Sequence, residues 1–175
     1  MIEGVNGTSR IRKVLPIILE ALHITSFVDA PCGDFNWMQK VNLTGTSYLG
    51  IDVVPELVAQ NQRLYHSKDI NFMQGDLLSD KIPKCDLIMV RDLLIHHSNR
   101  SAIKILENII QSDVFYLLVS NYSGVKRNLN TFSGGLRLYN LYEKPFSSVK
   151  LPHPLLRFTD GDGAYGREMV LLELK

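Results

Sequence analysis

Two cysteines in 175 residues, Cys32 and Cys85, are too few for a disulfide framework. Cys32 sits in a turn and Cys85 opens an apolar run, so both are expected as reduced thiols in a cytoplasmic protein. An excess of either charge is also missing. Nineteen Lys and Arg face eighteen Asp and Glu, a net charge of +1, so nothing in the composition attracts nucleic acid or an anionic membrane. No apolar run approaches the ~18 residues of a spanning helix. The Gly- and Asn-bearing start, expected as a loose segment over residues 1–7, lacks the apolar stretch of a signal peptide. Metal-ligand spacing is absent as well. His96 and His97 are adjacent with no third ligand nearby. Asp160 and Asp162, in a Gly-rich spacer, lack the further ligands and the terminal Glu of a calcium loop. No metal is therefore expected. No internal repeat or low-complexity tract is present.

What is there is an ordinary globular composition, 45% hydrophobic and 21% charged. It is expected as one domain over residues 1–175, with an N-terminal helical segment over 1–25. Thr8 or Ser9 can cap a helix whose apolar positions Ile11, Val14, Leu15, Ile18, Leu19 and Leu22 repeat at three- and four-residue spacing. Pro16 predicts a kink or two abutting helices there, and Arg10, Arg12 and Lys13 its solvated face. Phe27 and Val28 then run as a strand into Asp29-Ala30-Pro31-Cys32-Gly33-Asp34-Phe35-Asn36-Trp37-Met38. A strand, a tight turn and a helix start of this kind bring backbone N–H groups and a carboxylate against a ligand. A short helix is expected over 36–41.

Residues 47–53 read as a second strand with Asp52 at its end, one strand–helix–strand unit beyond Asp29. An acid at that place accepts hydrogen bonds from ribose hydroxyls in dinucleotide-type folds. Pro55 opens the next helix. Residues 71–77 follow as a third strand ending in Gly75-Asp76, which also reads as a turn. Residues 85–90 form a continuous apolar run, as a central strand does. Arg91-Asp92-Leu93-Leu94-Ile95-His96-His97 then places ionisable groups where open α/β sheets bind ligands. Ser98 caps the helix of Ile103, Leu106, Ile109 and Ile110. After a fifth strand over 114–120, residues 121–150 show little periodicity but many aromatics. They are expected as an ordered acceptor-side loop or lid, with the Gly134-Gly135 pair free to bend. Residues 155–158 and 169–174 can pair as an antiparallel hairpin. The fold class is α/β: a mostly parallel central sheet flanked by helices, with a C-terminal antiparallel edge hairpin.

The Asp29–Met38 stretch resembles motif I of class I S-adenosylmethionine (SAM) methyltransferases, D-x-G-C-G-x-G. Asp29, Cys32 and Gly33 match, while Pro31 and Phe35 stand where the first and last glycines are expected. The chain is also similar to a small bacterial-type group with a D-A-P-C-G-D-F-x-W-M motif I. The further shared features are Gly7-Thr8-Ser9, Leu15-Pro16, Arg91-Asp92, Gly135 to Leu141, Pro145-Phe146 and Pro152-His153-Pro154, although Leu136 replaces an expected aromatic.

The resemblance implies a Rossmann-like methyltransferase fold with SAM as cofactor. It assigns the cofactor to Asp29, Ala30, Pro31, Cys32, Gly33, Asn36, Trp37, Asp52, Val53, Asp76, Leu77 and Arg91, with Asp76 near the adenine amine. It implies methyl transfer to a small-molecule or glycan-like acceptor, through a hydroxyl. His96 is then the general base, Asp92 its alternative or orienting partner, and Arg91 a hold on the acceptor, with Trp37, Arg137 and Asn140 lining the acceptor pocket. A protein side chain as acceptor, or a non-catalytic SAM-binding module, would use the same cofactor residues. A nicotinamide oxidoreductase would need G-x-G-x-x-G, and this turn has one glycine. The sequence leaves the oligomeric state open.

Overall fold

The structure, a computed structural model, describes residues 5–132 and 134–175. Residues 1–4 of the expected loose start and Ser133 of the expected lid lie outside the described residues. Residues Val5–Thr8 form a 3-10 turn. Seven strands build one sheet: β1 (Ser26–Asp29), β2 (Ser47–Asp52), β3 (Ile70–Gln74), β4 (Cys85–Val90), β5 (Val114–Tyr122), β6 (Pro154–Thr159) and β7 (Arg167–Glu173). Their order is β3-β2-β1-β4-β5-β7-β6. The first five are parallel. The last two form the expected hairpin, with β7 running antiparallel to both β5 and β6.

Period-two alternation divides the strand residues between two cores. Val28, Ile88, Val90, Leu117, Val119, Val170 and Leu172 point to the face covered by α3 (Asn99–Gln111), whose Ala102, Ile105, Leu106 and Ile109 are fully buried. Phe27, Leu87, Met89, Leu118, Met169 and Leu171 point to the other face, against α1 (Ser9–Ala21) through Ile11, Leu15, Ile18 and Leu19. Each such side chain contributes about 1.5–3 kcal/mol by leaving water. The third helix, α2 (Pro55–Tyr65), begins at Pro55 as expected and buries one residue fully, Asn61.

Several local expectations change. Pro16 neither divides the first helix into two nor ends it: α1 runs through it as one element. A proline removes one helical N–H, and here four buried apolar side chains hold the helix against the sheet. Residues 36–41 close only a 3-10 turn, Met38–Lys40. The third strand stops at Gln74, because Gly75 and Asp76 turn away: Asp76 Oδ1 accepts from the Leu78 N–H at 2.9 Å. Ser98 caps α3 as expected, its Oγ accepting from the Ser101 N–H at 3.2 Å.

Between β5 and β6 there is no α-helix among the described residues, only a 3-10 turn at Phe146–Ser148. The segment is nevertheless well anchored. Tyr139, Leu141, Phe146 and Val149 are buried in the α3-side core. The Asn128 amide nitrogen donates to the carbonyls of Asn140, Glu143 and Lys144, while its oxygen accepts from the Asn140 N–H at 2.7 Å. The periodicity was absent because side-chain amides, rather than a backbone ladder, satisfy this segment.

Candidate functional site

The parallel strands end at one edge, and the chain reverses direction across the sheet between β1 and β4. Ligands bind at such switch points. A cleft of about 300 Å³ opens there, lined by Ala30, Pro31, Ile51, Asp52, Val53, Gly75, Asp76, Leu77, Leu93 and His97. A larger open groove of about 800 Å³ carries Lys84 and Asp113, which precede β4 and β5. It therefore lies at the opposite strand ends, away from the acids.

The turn after β1 is held to both neighbouring strands: the Ala30 N–H donates to Met89 O at 3.0 Å, and Cys32 N–H to Ile51 O at 2.9 Å. Gly50 makes this approach possible, since a Cβ there would come within 3.0 Å of both Phe72 and Cys32. Gly33 follows at φ +57°, with open space where a side chain would project. Its N–H donates to Asp52 Oδ2 at 3.1 Å, and Val54 N–H donates to Oδ1 at 3.1 Å. Asp52 is thus fixed in the cleft wall, and each oxygen retains a lone pair for a ligand hydroxyl.

Phe35, in the place of the last motif glycine, also has a positive φ, +57°. The backbone conformation that glycine would supply is present without glycine. Its ring is buried among Tyr48, Tyr65 and Phe72, each centroid 5.1 Å away. Such ring pairs contribute about 0.5–1.5 kcal/mol each beyond burial, enough to offset the ~1–2 kcal/mol of the left-handed conformation. Asn36 is half-buried beyond it, its N–H donating to Asp34 Oδ1.

Asp29 is buried, accepts from the Tyr48 hydroxyl at 2.9 Å through Oδ2, and makes no hydrogen bond among the described residues through Oδ1. Burial pushes its carboxyl up to about 7; the Tyr48 bond and the Arg91 charge pull the other way. Burial raises both thiols as well, Cys85 to about 12 and Cys32 higher, so these free cysteines stay protonated and inert.

Beside the cleft, Arg91 lies 5.6 Å over the Trp37 ring and donates through Nε to Asp160 Oδ2 at 3.0 Å. Arg167 reaches Asp92 Oδ2 at 2.6 Å and Asp160 Oδ2 at 3.2 Å. Tyr122 donates to Asp92 Oδ1 at 3.1 Å, and the Asp92 N–H, at φ +58°, donates to Ser120 Oγ. Two guanidiniums and two carboxylates therefore tie the end of β4 to the hairpin. Asp160, which sequence reasoning weighed only as a turn or calcium residue, is the fully buried centre of this cluster. Among the described residues no group of three or more His, Cys, Asp or Glu is placed to hold a metal.

The histidines separate. His96 is exposed and faces the long loop, its Nδ1 3.2 Å from Gly135 O. A carbonyl only accepts, so in the neutral ring Nδ1 carries the hydrogen and the Nε2 lone pair is free. His97 lines the cleft, and burial lowers its pKa. Sequence reasoning did not place His97 or Leu93 in the cleft; a one-residue shift within a loop carries no periodic signal. Arg137 is buried under the loop, 5.0 Å over Phe146, and donates to His97 O at 3.1 Å. The Asn140 amide donates to Val125 O at 3.0 Å and its oxygen accepts from Tyr142 N–H. Arg137 braces the His96–His97 turn and Asn140 organises the loop itself; neither lines the cleft.

A family model described as "O-methyltransferase domain" matches residues 45–114, under half of the chain. That span holds Asp52, Asp76 and the Arg91–His97 segment but not the Asp29–Met38 turn. No curated protein matches the sequence. Solved structures match closely in shape. Human N-acetylserotonin methyltransferase in complex with SAM is 16% identical at TM-score 0.66, covering 94% of this chain and 55% of that one. An O-methyltransferase family 2 protein from Planctomyces limnophilus in complex with apigenin is 16% identical at TM-score 0.69, covering 95% and 56%. The N-methyltransferase NodS from Bradyrhizobium japonicum with S-adenosyl-L-homocysteine is 14% identical at TM-score 0.68, covering 94% and 85%. The chain spans 55–57% of the length of the first three structures matched. No helix among the described residues is long and apolar enough to cross a membrane. The sheet order, the C-terminal hairpin and these likenesses together show a Rossmann-like methyltransferase fold.

Proposed function

We propose that this chain is a class I SAM-dependent methyltransferase that methylates a hydroxyl of a small molecule. One observation carries the reading above the others: Asp52 is fixed by the N–H groups of Gly33 and Val54 in the wall of a cleft at the sheet's switch point. The family-model match and the structures solved with SAM or S-adenosyl-L-homocysteine support it, and the apigenin complex supports a hydroxyl-bearing acceptor.

The residues present fit the cofactor. Asp52 would take the ribose hydroxyls, and Val53, Asp76, Leu77 and His97 would enclose the adenine. The open space over Gly33 admits a ligand against bare backbone. Asp29 Oδ1, buried and without a hydrogen bond among the described residues, would pair with a polar group of the ligand, as donor when protonated and as acceptor when ionised. SAM bound there would supply a methyl group already activated on a sulfonium, so the protein's task is chiefly positioning. His96 has the tautomer of a base, held by Gly135, and its Nε2 would take the proton of the acceptor hydroxyl. Arg91, pinned between Trp37 and Asp160, would border the acceptor. Asp92 is committed to Arg167 and Tyr122 and would shape this wall. Residues 121–150 would form the wall or lid on the acceptor side, with Arg137 and Asn140 acting from beneath it.

Calorimetric titration with SAM tests the reading. The wild type is expected to bind, and Asp52→Ala to weaken binding by about 1.5–3 kcal/mol, the range for charge-assisted hydrogen bonds. No SAM binding by the folded chain overturns it. Binding with no turnover across hydroxyl acceptors and labelled SAM would instead make it a SAM-binding module.

A further inference from the structure

We infer that Asn61 is a positioning residue for the cofactor site, acting through Gly33. This rests on the cofactor reading above. Asparagine is an odd choice for the one fully buried position of α2, because a buried amide costs more to desolvate than leucine unless its hydrogen bonds are made. Its Nδ2 donates to Gly33 O at 2.7 Å, with Cys32 Sγ 3.9 Å away. The acceptor is a carbonyl, so the amide orientation is settled. Its Oδ1 is buried and has no hydrogen-bond partner among the described residues. Half of the group's capacity is therefore sacrificed for one bond to the turn.

That bond closes a circuit. Asn61 fixes the Gly33 carbonyl, and the Gly33 N–H fixes Asp52 Oδ2. The Val54 N–H at the start of α2 fixes Asp52 Oδ1. The Gly33 carbonyl belongs to the plane shared with Asp34 and its N–H to the plane shared with Cys32, so holding both ends restrains the φ and ψ of Gly33 between them. Gly33 needs this more than any other residue of the turn. It sits at φ +57° with no side chain and nothing within 4 Å of its Cβ direction, so no packing restrains it. Asn61 replaces packing with a hydrogen bond. The helix thereby couples the glycine turn to the ribose-binding acid from a face no ligand touches.

The test compares Asn61→Leu and Asn61→Ala with wild type. Leucine has as many side-chain heavy atoms as asparagine but no donor, so it keeps much of the packing, and the melting temperature should fall only modestly through the unpaired Gly33 carbonyl. Its dissociation constant for SAM should rise about five- to twentyfold, the loss expected for one hydrogen bond and the freedom it suppressed. The KM for SAM should rise likewise with kcat nearly unchanged. A merely structural residue would lower the melting temperature and leave the affinity of the folded protein intact, and that result overturns the proposal. Amide exchange at Gly33, read by NMR without ligand, should quicken about tenfold in Asn61→Ala. Unchanged exchange also overturns it. Wild type that does not bind SAM defeats the cofactor reading instead, and the exchange arm still decides whether Asn61 holds the turn.

Discussion

Tyr48 donates its hydroxyl hydrogen to Asp29 at 2.9 Å, with both residues buried at the floor of the turn after β1. The two are brought together by the parallel pairing of β1 with β2. The pair leaves Asp29 with one oxygen bonded and one without a partner among the described residues, and burial favours the neutral acid.

Stability should therefore depend on pH through Asp29. Burial raises its folded pKa from 3.8 to about 7. The folded state then binds more protons than the unfolded state between these values, so stability falls as pH rises through that window. The size is on the order of a few kcal/mol. Asp160, raised by burial, acts in the same direction, while His97, lowered by burial, adds stability above its unfolded pKa and loses it as pH falls. Subtracting Asp29→Asn from wild type in urea titrations at pH 4.5 to 8 isolates the term. A flat difference would show that Asp29 stays charged throughout.

Phe35 carries two opposed effects, and their magnitudes decide the outcome of Phe35→Gly. The substitution relieves a positive φ worth about 1–2 kcal/mol but removes a buried ring, at about 3–5 kcal/mol. Net destabilisation of about 1–4 kcal/mol is expected in chemical denaturation. A stabilised variant would mean that strain, not the four-ring cluster, dominates this turn.

Asp160→Asn should be among the most damaging substitutions in the hairpin. It removes the buried carboxylate shared by Arg91 and Arg167, whose side chains are only 8% and 13% exposed. Breaking a buried ion pair from one side costs about 3–5 kcal/mol. Urea unfolding measures it, and a loss below ~1 kcal/mol would show the cluster to be well hydrated.

The two histidines are expected to divide their effects. His97→Ala should raise the dissociation constant for SAM, because the ring lines the cleft. His96→Ala should leave that constant alone and lower turnover by ~10²–10⁴-fold, as for loss of a general base. Loss of turnover under tenfold would reduce His96 to an anchor for Gly135.

Much of this protein was legible before folding was considered. The apolar runs Phe27-Val28 and Leu87 to Val90, the Ser98 cap, Pro55 at a helix start and an acid closing each of the first two strands are local features. They are set by the period of the backbone and by which side chains satisfy its ends, so the mostly parallel sheet and its hairpin followed from the sequence. Partnerships across the chain did not. Asp160 meets Arg91 from 69 residues away, and Asn61 meets Gly33 from 28. Each meeting depends on strand order, which no window of sequence contains. The same holds where one residue decides a role. His97 rather than His96 reaches the cleft, and Arg137 and Asn140 turn inward beneath their own loop. A loop has no repeat to orient its side chains, so only the surfaces packed around it decide which of them face a ligand.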